Sequence, residues 1–256
     1  MGLASSGKIP VVSGFTCFTI ARAWDFIRAA AYDELPLKIC TTHAGLSPDL
    51  DGGSHQALED LSLIAAIPNS TIFCPADPKE VLGILNTMMQ RPGFCYLRLM
   101  RNATPWVWAT NTSTNANIDD PSKPKLIFES EPGHVDITII STGSMTSFLP
   151  GIFKPLIEAQ LSIRAIHLSQ IKPLSYEILK PICNATRKLV TLEEHNVIAG
   201  FGAQIGRVIS EKHPLPILTI GVRDRFGQTG SLSQLYHEYG LDPLSISQQI
   251  LAWIQK

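Results

Sequence analysis

Between Thr42 and Asp60 the chain reads THAGLSPDLDGGSHQALED, which sets two histidines and four acidic residues around a Gly-Gly pair. His43, Asp51 and His55 are separated by seven and then three residues, so two imidazoles and a carboxylate share one short polar stretch. Imidazoles exchange protons near neutral pH, and a carboxylate beside them accepts hydrogen bonds from hydroxyls. The combination suits a small, oxygen-rich, anionic substrate. Arg101, just past the run FCYLRLM, adds a planar group able to bind phosphate through paired hydrogen bonds. Phe15 and Phe18 place two rings three residues apart in SGFTCFTIARAWDFIR, suited to core packing or to stacking against a flat ring. On spacing alone, a solvated loop and a surface ion pair at Arg101 stand as the alternatives. No third nitrogen or sulfur ligand follows at helical spacing, so no metal is assigned here.

A second polar cluster, Glu193, Glu194 and His195, sits in TLEEHNVIAGFGAQIG. It reads as structural contacts or a subunit interface ahead of catalysis. Its glycines miss the G-x-G-x-x-G register, which argues against a dinucleotide site.

These residues need elements to hold them. IPVVSGF, LPLKICTTH, STIFCPAD and GFCYLRLM read as buried strands, and IARAWDFIRAAAYDE as one helix with Ile20, Trp24, Ile27 and Ala31 along its apolar stripe. A helix is expected over 55–67, with Ser54 as its N-cap and His55 in its first turn, where the dipole favours a neutral imidazole. PKEVLGILNTMMQR is a helix with Pro78 in its first turn. From Asn102 to Gly133 the periodicity lapses, and the segment reads as a linker. Strands HVDITIIST, SIRAIHL, KLVTLEEH and PILTIGV then alternate with helices to the end. Apolar strands between helices imply parallel sheets covered on both faces. The expected fold is α/β, with two doubly wound, mostly parallel-sheet domains, the first lacking its N-terminal elements. Boundaries fall at 1–103, 104–132 for the linker, and 133–256.

The totals limit the partners. The 256 residues are 45% hydrophobic with a formal net charge of −1 and no basic run, so nucleic acid is not expected as a partner. No apolar run nears the roughly 20 residues of a membrane span. The opening MGLASSGKIPVV lacks the basic and apolar regions of a signal peptide. Five cysteines with no C-x-x-C pair read as buried thiols in a cytoplasmic protein.

At greater length the phrases resemble a known family. KIPVVSGFTCFTIARAWDFIR, THAGLSPDLDGGSHQALEDLSLIAAIPNSTIFCPAD and YLRLMR resemble the pyrimidine-binding domain of transketolases. IKPLS, VTLEEHNVIAGFGAQIG and GVRDRFGQTG resemble the transketolase C-terminal domain. The likeness covers nearly the whole chain and is nearest to the C-terminal subunit of split, two-chain transketolases. Deoxyxylulose-phosphate synthase and the β subunit of 2-oxoacid dehydrogenases share both domains, but the histidine–aspartate spacing and IPN…CPAD favour transketolase.

The resemblance implies transfer of a two-carbon ketol unit between sugar phosphates of the pentose phosphate pathway, with thiamine diphosphate and Mg²⁺. It implies that His43 and Arg101 hold the acceptor phosphate. Asp51 would meet the hydroxyl beside the reacting carbonyl, His55 would move or polarise a proton, and Phe18 with Phe15 would stack on the aminopyrimidine. The family's GDG phrase for diphosphate and metal does not occur here, so an N-terminal transketolase subunit is expected to hold both. Self-association is expected as well. The family's activating glutamate lies in an A-E-Q phrase upstream of GLASSGKIP, and Leu50 in DLDG stands where the family often has glutamate. A truncated, inactive fragment or assembly module is therefore the competing expectation.

Overall fold

Short β-branched and apolar runs form the strands, and helices lie between them along the chain. A computed structural model of the protein describes residues 1–108, 120–133 and 135–255. The first half runs α1 (Gly2–Ser5), β1 (Val11–Phe15), α2 (Thr16–Arg22), α3 (Trp24–Tyr32), β2 (Lys38–Thr42), α4 (Asp60–Ala65), β3 (Thr71–Phe73), α5 (Pro78–Gln90) and β4 (Cys95–Arg98). The second runs β5 (Lys125–Glu129), β6 (Val135–Ser141), α6 (Leu149–Glu158), β7 (Ile163–His167), β8 (Gln170–Lys172), α7 (Tyr176–Asn184), β9 (Thr186–Asn196), α8 (Phe201–Ser210), β10 (Ile217–Val222), α9 (Leu232–Glu238) and α10 (Pro243–Ile254).

The first sheet has the order β1-β2-β4-β3-β8 and the second β10-β9-β6-β7-β5. Pairing is parallel except at β8 against β3 and β5 against β7. The fold is thus α/β with two mostly parallel sheets. β8 comes from the second half of the chain yet closes the edge of the first sheet. The cores also merge, because Ile39, Ile72 and Tyr96 of the first sheet share one buried cluster with Ile140, Ile166, Leu189 and Ile205. Burying each aliphatic side chain of this kind contributes about 1.5–3 kcal/mol. Among the described residues no helix is long and apolar enough to cross a membrane.

Several expected elements differ. The run IPVVSGF, expected as a buried strand, forms the edge strand β1, paired on one side only, and leaves Val11 and Val12 exposed. The single helix after the first strand is two, broken at Ala23, and nothing in the local sequence explains the break. Its stripe is nonetheless inward, with Ile20, Ile27 and Ala31 buried. α5 starts as its sequence implies, with Pro78 in the first turn and the Asp77 side chain accepting from the Glu80 N–H. The segment read as linker carries β5, whose pairing with β7 is antiparallel and bulged. Positions 109–119 of that segment lie outside the described residues.

Candidate active site

β1, β2 and β4 are neighbours in the first sheet, so their carboxyl ends open side by side, where ligands bind in folds of this type. Phe15 ends β1 in register with Thr42, which brings its ring against His43 just past the end of β2. The two rings stack with centroids 3.6 Å apart and planes 14° apart. Phe18, one turn into α2, meets His55 edge to face at 5.1 Å, and Phe15 reaches His55 at 6.2 Å. The guanidinium of Arg22 lies 4.8 Å over the ring of Phe18. Thr16 fixes the start of α2, with its Oγ1 2.8 Å from both Thr41 Oγ1 and the Thr42 carbonyl.

The charged rim adjoins this aromatic cluster. Arg101 Nη1 lies 3.0 Å from Asp51 Oδ2, 3.5 Å from Asp49 Oδ1 and 3.1 Å from the Pro48 carbonyl. Burial pushes the His43 imidazole below its ordinary pKa, and the positive charge of Arg101 adds to this, against the opposing pull of Asp51. His43 Nδ1 is 2.8 Å from Thr42 Oγ1, and His55 Nδ1 is 3.0 Å from Ser54 Oγ. In both rings Nδ1 is the nitrogen so engaged, and no hydrogen bond to Nε2 is seen among the described residues. Phe15, Phe18, His43, Asp51, His55 and Arg101 therefore stand together at one sheet edge.

His55 does not sit in a helix. Residues 53–55 form a turn, and α4 begins only at Asp60, so Ser54 caps no helix and no dipole acts on His55. The cause is tertiary. Ala57 exchanges backbone hydrogen bonds with Gly45 at 2.8 and 3.1 Å, and the Leu58 carbonyl accepts from the Asn196 N–H at 2.9 Å. These bonds take the backbone groups that a helix over 55–59 would have used.

Chains of known description share this architecture. Residues 1–107 match the family model for the transketolase pyrimidine-binding domain, and residues 129–246 that for the transketolase C-terminal domain. A protein described as a transketolase C-terminal section, from Methanocaldococcus jannaschii, is 34% identical over 257 residues, covering 100% of this chain and 78% of its own. The chain belongs to the transketolase family. One of the subunits of an apulose-4-phosphate transketolase from Phocaeicola vulgatus is 27% identical, with 100% of this chain and 79% of its own covered. A solved split-gene transketolase, described as an inactive β4 tetramer, superposes with a TM-score of 0.84 at 33% identity, covering 98% of this chain and 78% of its own. This chain is accordingly a transketolase-family subunit, and the family's enzymes are of transferase type.

Behind the rim of this transketolase-family chain lies a buried polar network that spacing did not reveal. Asp60 of α4 accepts from Arg98 Nε at 2.8 Å and from Tyr96 OH at 2.7 Å, and Tyr96 OH lies 3.1 Å from Thr41 Oγ1. Burial opposes the Arg98 charge, but Asp60 holds its pKa above the ordinary arginine range. Arg98 Nη2 also donates to the Ala57 and Glu194 carbonyls. Glu193, Glu194 and His195 are fully enclosed and make structural contacts. Glu193 accepts from the Phe201 and Gly202 N–H groups at the start of α8, and burial pushes its pKa up to about 7. His195 Nε2 accepts from the Leu61 N–H, so its ring is neutral, and burial lowers its pKa to about 4. The sequence signals for this network were the Glu193–His195 cluster, read as structural contacts or a subunit interface, and an arginine and a tyrosine inside an otherwise apolar strand.

Proposed function

We propose that this chain is the C-terminal subunit of a split, thiamine-diphosphate-dependent transketolase, which moves a two-carbon ketol unit between sugar phosphates together with an N-terminal subunit. The observation that carries the reading is the meeting of four rings, Phe15, Phe18, His43 and His55, with the Asp51–Arg101 pair at the carboxyl ends of β1, β2 and β4. An aromatic wall beside a cationic and imidazole rim fits a flat heterocycle at one end and a sugar phosphate at the other. Bound there, thiamine diphosphate would supply the electron sink that ketol transfer needs.

The chain's own residues would divide the remaining work. Phe18 and Phe15 hold the aminopyrimidine. Arg101 and the neutral His43, donating from Nε2, bind the acceptor phosphate. As Arg101 turns to phosphate, Asp51 is released to accept from the hydroxyl beside the reacting carbonyl, which selects stereochemistry. His55, fixed through Nδ1 by Ser54, holds or moves a proton at Nε2. Diphosphate and Mg²⁺ fall to the partner, since this chain has no GDG phrase.

Reconstitution tests the reading. The chain is combined with an N-terminal subunit, thiamine diphosphate and Mg²⁺, and two-carbon transfer from a ketose phosphate to an aldose phosphate is followed. Transfer that requires both chains is expected. A stable complex without transfer overturns the proposal.

A further inference from the structure

The loop from His43 to His55 holds its side chains in place while resting on little regular structure of its own. His43, Gly45, Asp49 and Gly52 all have left-handed backbone, with φ of 65°, 66°, 43° and 78°. Glycine adopts this conformation freely, but His43 and Asp49 persist in it only where surrounding contacts over-determine them. Here the contacts come from the other half of the chain. Glu194, near the end of β9, accepts from the Leu46 N–H at 2.7 Å through Oε1. Its Oε2 accepts from Ser144 Oγ at 2.7 Å and Tyr236 OH at 3.1 Å. The carboxyl lies close against the Gly45 backbone, where a Cβ would stand 2.4 Å from Oε1. A second grip follows at the far end of the loop. Gln56 Nε2 donates to the Gln228 carbonyl at 3.0 Å, and a Cβ on Gly53 would stand 2.5 Å from the Gly227 carbonyl oxygen. Asp51 and His55 hang between the two grips, and His43 closely precedes the first.

We propose that Glu194 is a positioning residue for this loop, through which the C-terminal domain sets the placement of His43, Asp51 and His55 on the substrate. The proposal rests on the reading of that loop as the sugar-phosphate site. A second buried anchor serves as its control. Glu80 of α5 reaches His167 at 2.9 Å and Lys125 at 2.8 Å, and so joins the two halves equally, but these bonds lie away from the 43–55 loop.

Glu194→Ala removes the acceptor for the Leu46 N–H and for two hydroxyls. Misplacement on the order of 1 Å costs up to about 100-fold in rate, so kcat/KM for both sugar phosphates should fall about 10- to 100-fold. Affinity for thiamine diphosphate should fall less than kcat/KM, because Thr16 ties the backbone that carries Phe15 and Phe18 to the end of β2, even though their rings touch His43 and His55. Glu194→Gln keeps an acceptor for Leu46, and its amide offers a polar partner to Ser144 and Tyr236, so it should restore most of kcat/KM. Hydrogen exchange over 44–56 should accelerate in Glu194→Ala and not in Glu80→Gln, whatever the activity. Should Glu194→Ala fail to fold, Ser144→Ala combined with Tyr236→Phe should give the same pattern with a smaller loss. Unchanged exchange over 44–56 in the folded variant overturns the proposal. So does a loss of kcat/KM in Glu80→Gln equal to that in Glu194→Ala. Absence of transfer by the wild-type complex would instead count against the functional reading, leaving the exchange measurement to decide on Glu194.

Discussion

Replacing Arg101 by methionine separates holding a substrate from holding the fold. The guanidinium pairs with Asp51 at 3.0 Å and Asp49 at 3.5 Å, and the Arg101 and Asp51 side chains are 42% and 38% exposed. Water screens pairs this exposed, so losing them should cost only about 0.2–1 kcal/mol. For a chain of this size that lowers the melting temperature by at most about 4 °C. A guanidinium–phosphate bond is charge-assisted, and its removal costs about 1.5–3 kcal/mol, or roughly 10- to 150-fold in kcat/KM. Methionine keeps most of the stem while deleting the charge. The assay is steady-state kinetics of the reconstituted complex with phosphorylated and unphosphorylated acceptors, beside calorimetry of the chain. The phosphorylated acceptor alone should suffer. An equal loss with both acceptors, or an unchanged kcat/KM, would refute the assignment of Arg101 to phosphate.

Asp60→Ala leaves the Arg98 charge buried without its partner and should destabilise the chain by about 3–5 kcal/mol in urea unfolding; a loss below about 1 kcal/mol would contradict the buried pair. His195 has a folded pKa of about 4 against an ordinary 6.5, so its contribution is present above about pH 6.5 and disappears as pH falls through about 4, roughly 3 kcal/mol in all. Wild-type protein should therefore lose more stability than His195→Gln between pH 7.5 and 4, and parallel pH profiles would rule this out.

HVDITIIST was legible because a parallel strand buried on both faces must be apolar along its whole length, whereas IPVVSGF is apolar yet forms the edge strand β1, with Val11 and Val12 exposed. The meeting of the candidate residues followed from topology. The order β1-β2-β4 sets Phe15, His43 and Arg101 at adjacent strand ends, although they lie far apart in sequence. The start of α4 was not legible, because Ala57 and Leu58 commit their backbone groups to Gly45 and Asn196. No local pattern encodes bonds to partners so distant along the chain. The same holds for β5, whose pairing with β7 is bulged between Leu126 and Phe128 and so does not alternate cleanly.

The buried charges behind the rim bear on what the second half of the chain contributes. Desolvating Arg98, Asp60, Glu193 and Glu194 costs free energy that apolar side chains of similar volume would not, so net stability is a poor reason for their presence. Direction is a better one. Each of these groups bonds to partners at fixed angles, and the partners belong to different elements: α4 and β4 in the first half, β9, α8 and α9 in the second. An apolar contact tolerates sliding by a fraction of an ångström, whereas a carboxylate shared by Leu46, Ser144 and Tyr236 does not. A loop with two left-handed non-glycine residues and only one short 3-10 turn of its own needs that kind of constraint, because the backbone preferences of His43 and Asp49 oppose the conformation that brings Asp51 and His55 to the rim. In this fold the 43–55 loop belongs to one half of the chain by sequence and to both by its hydrogen bonds.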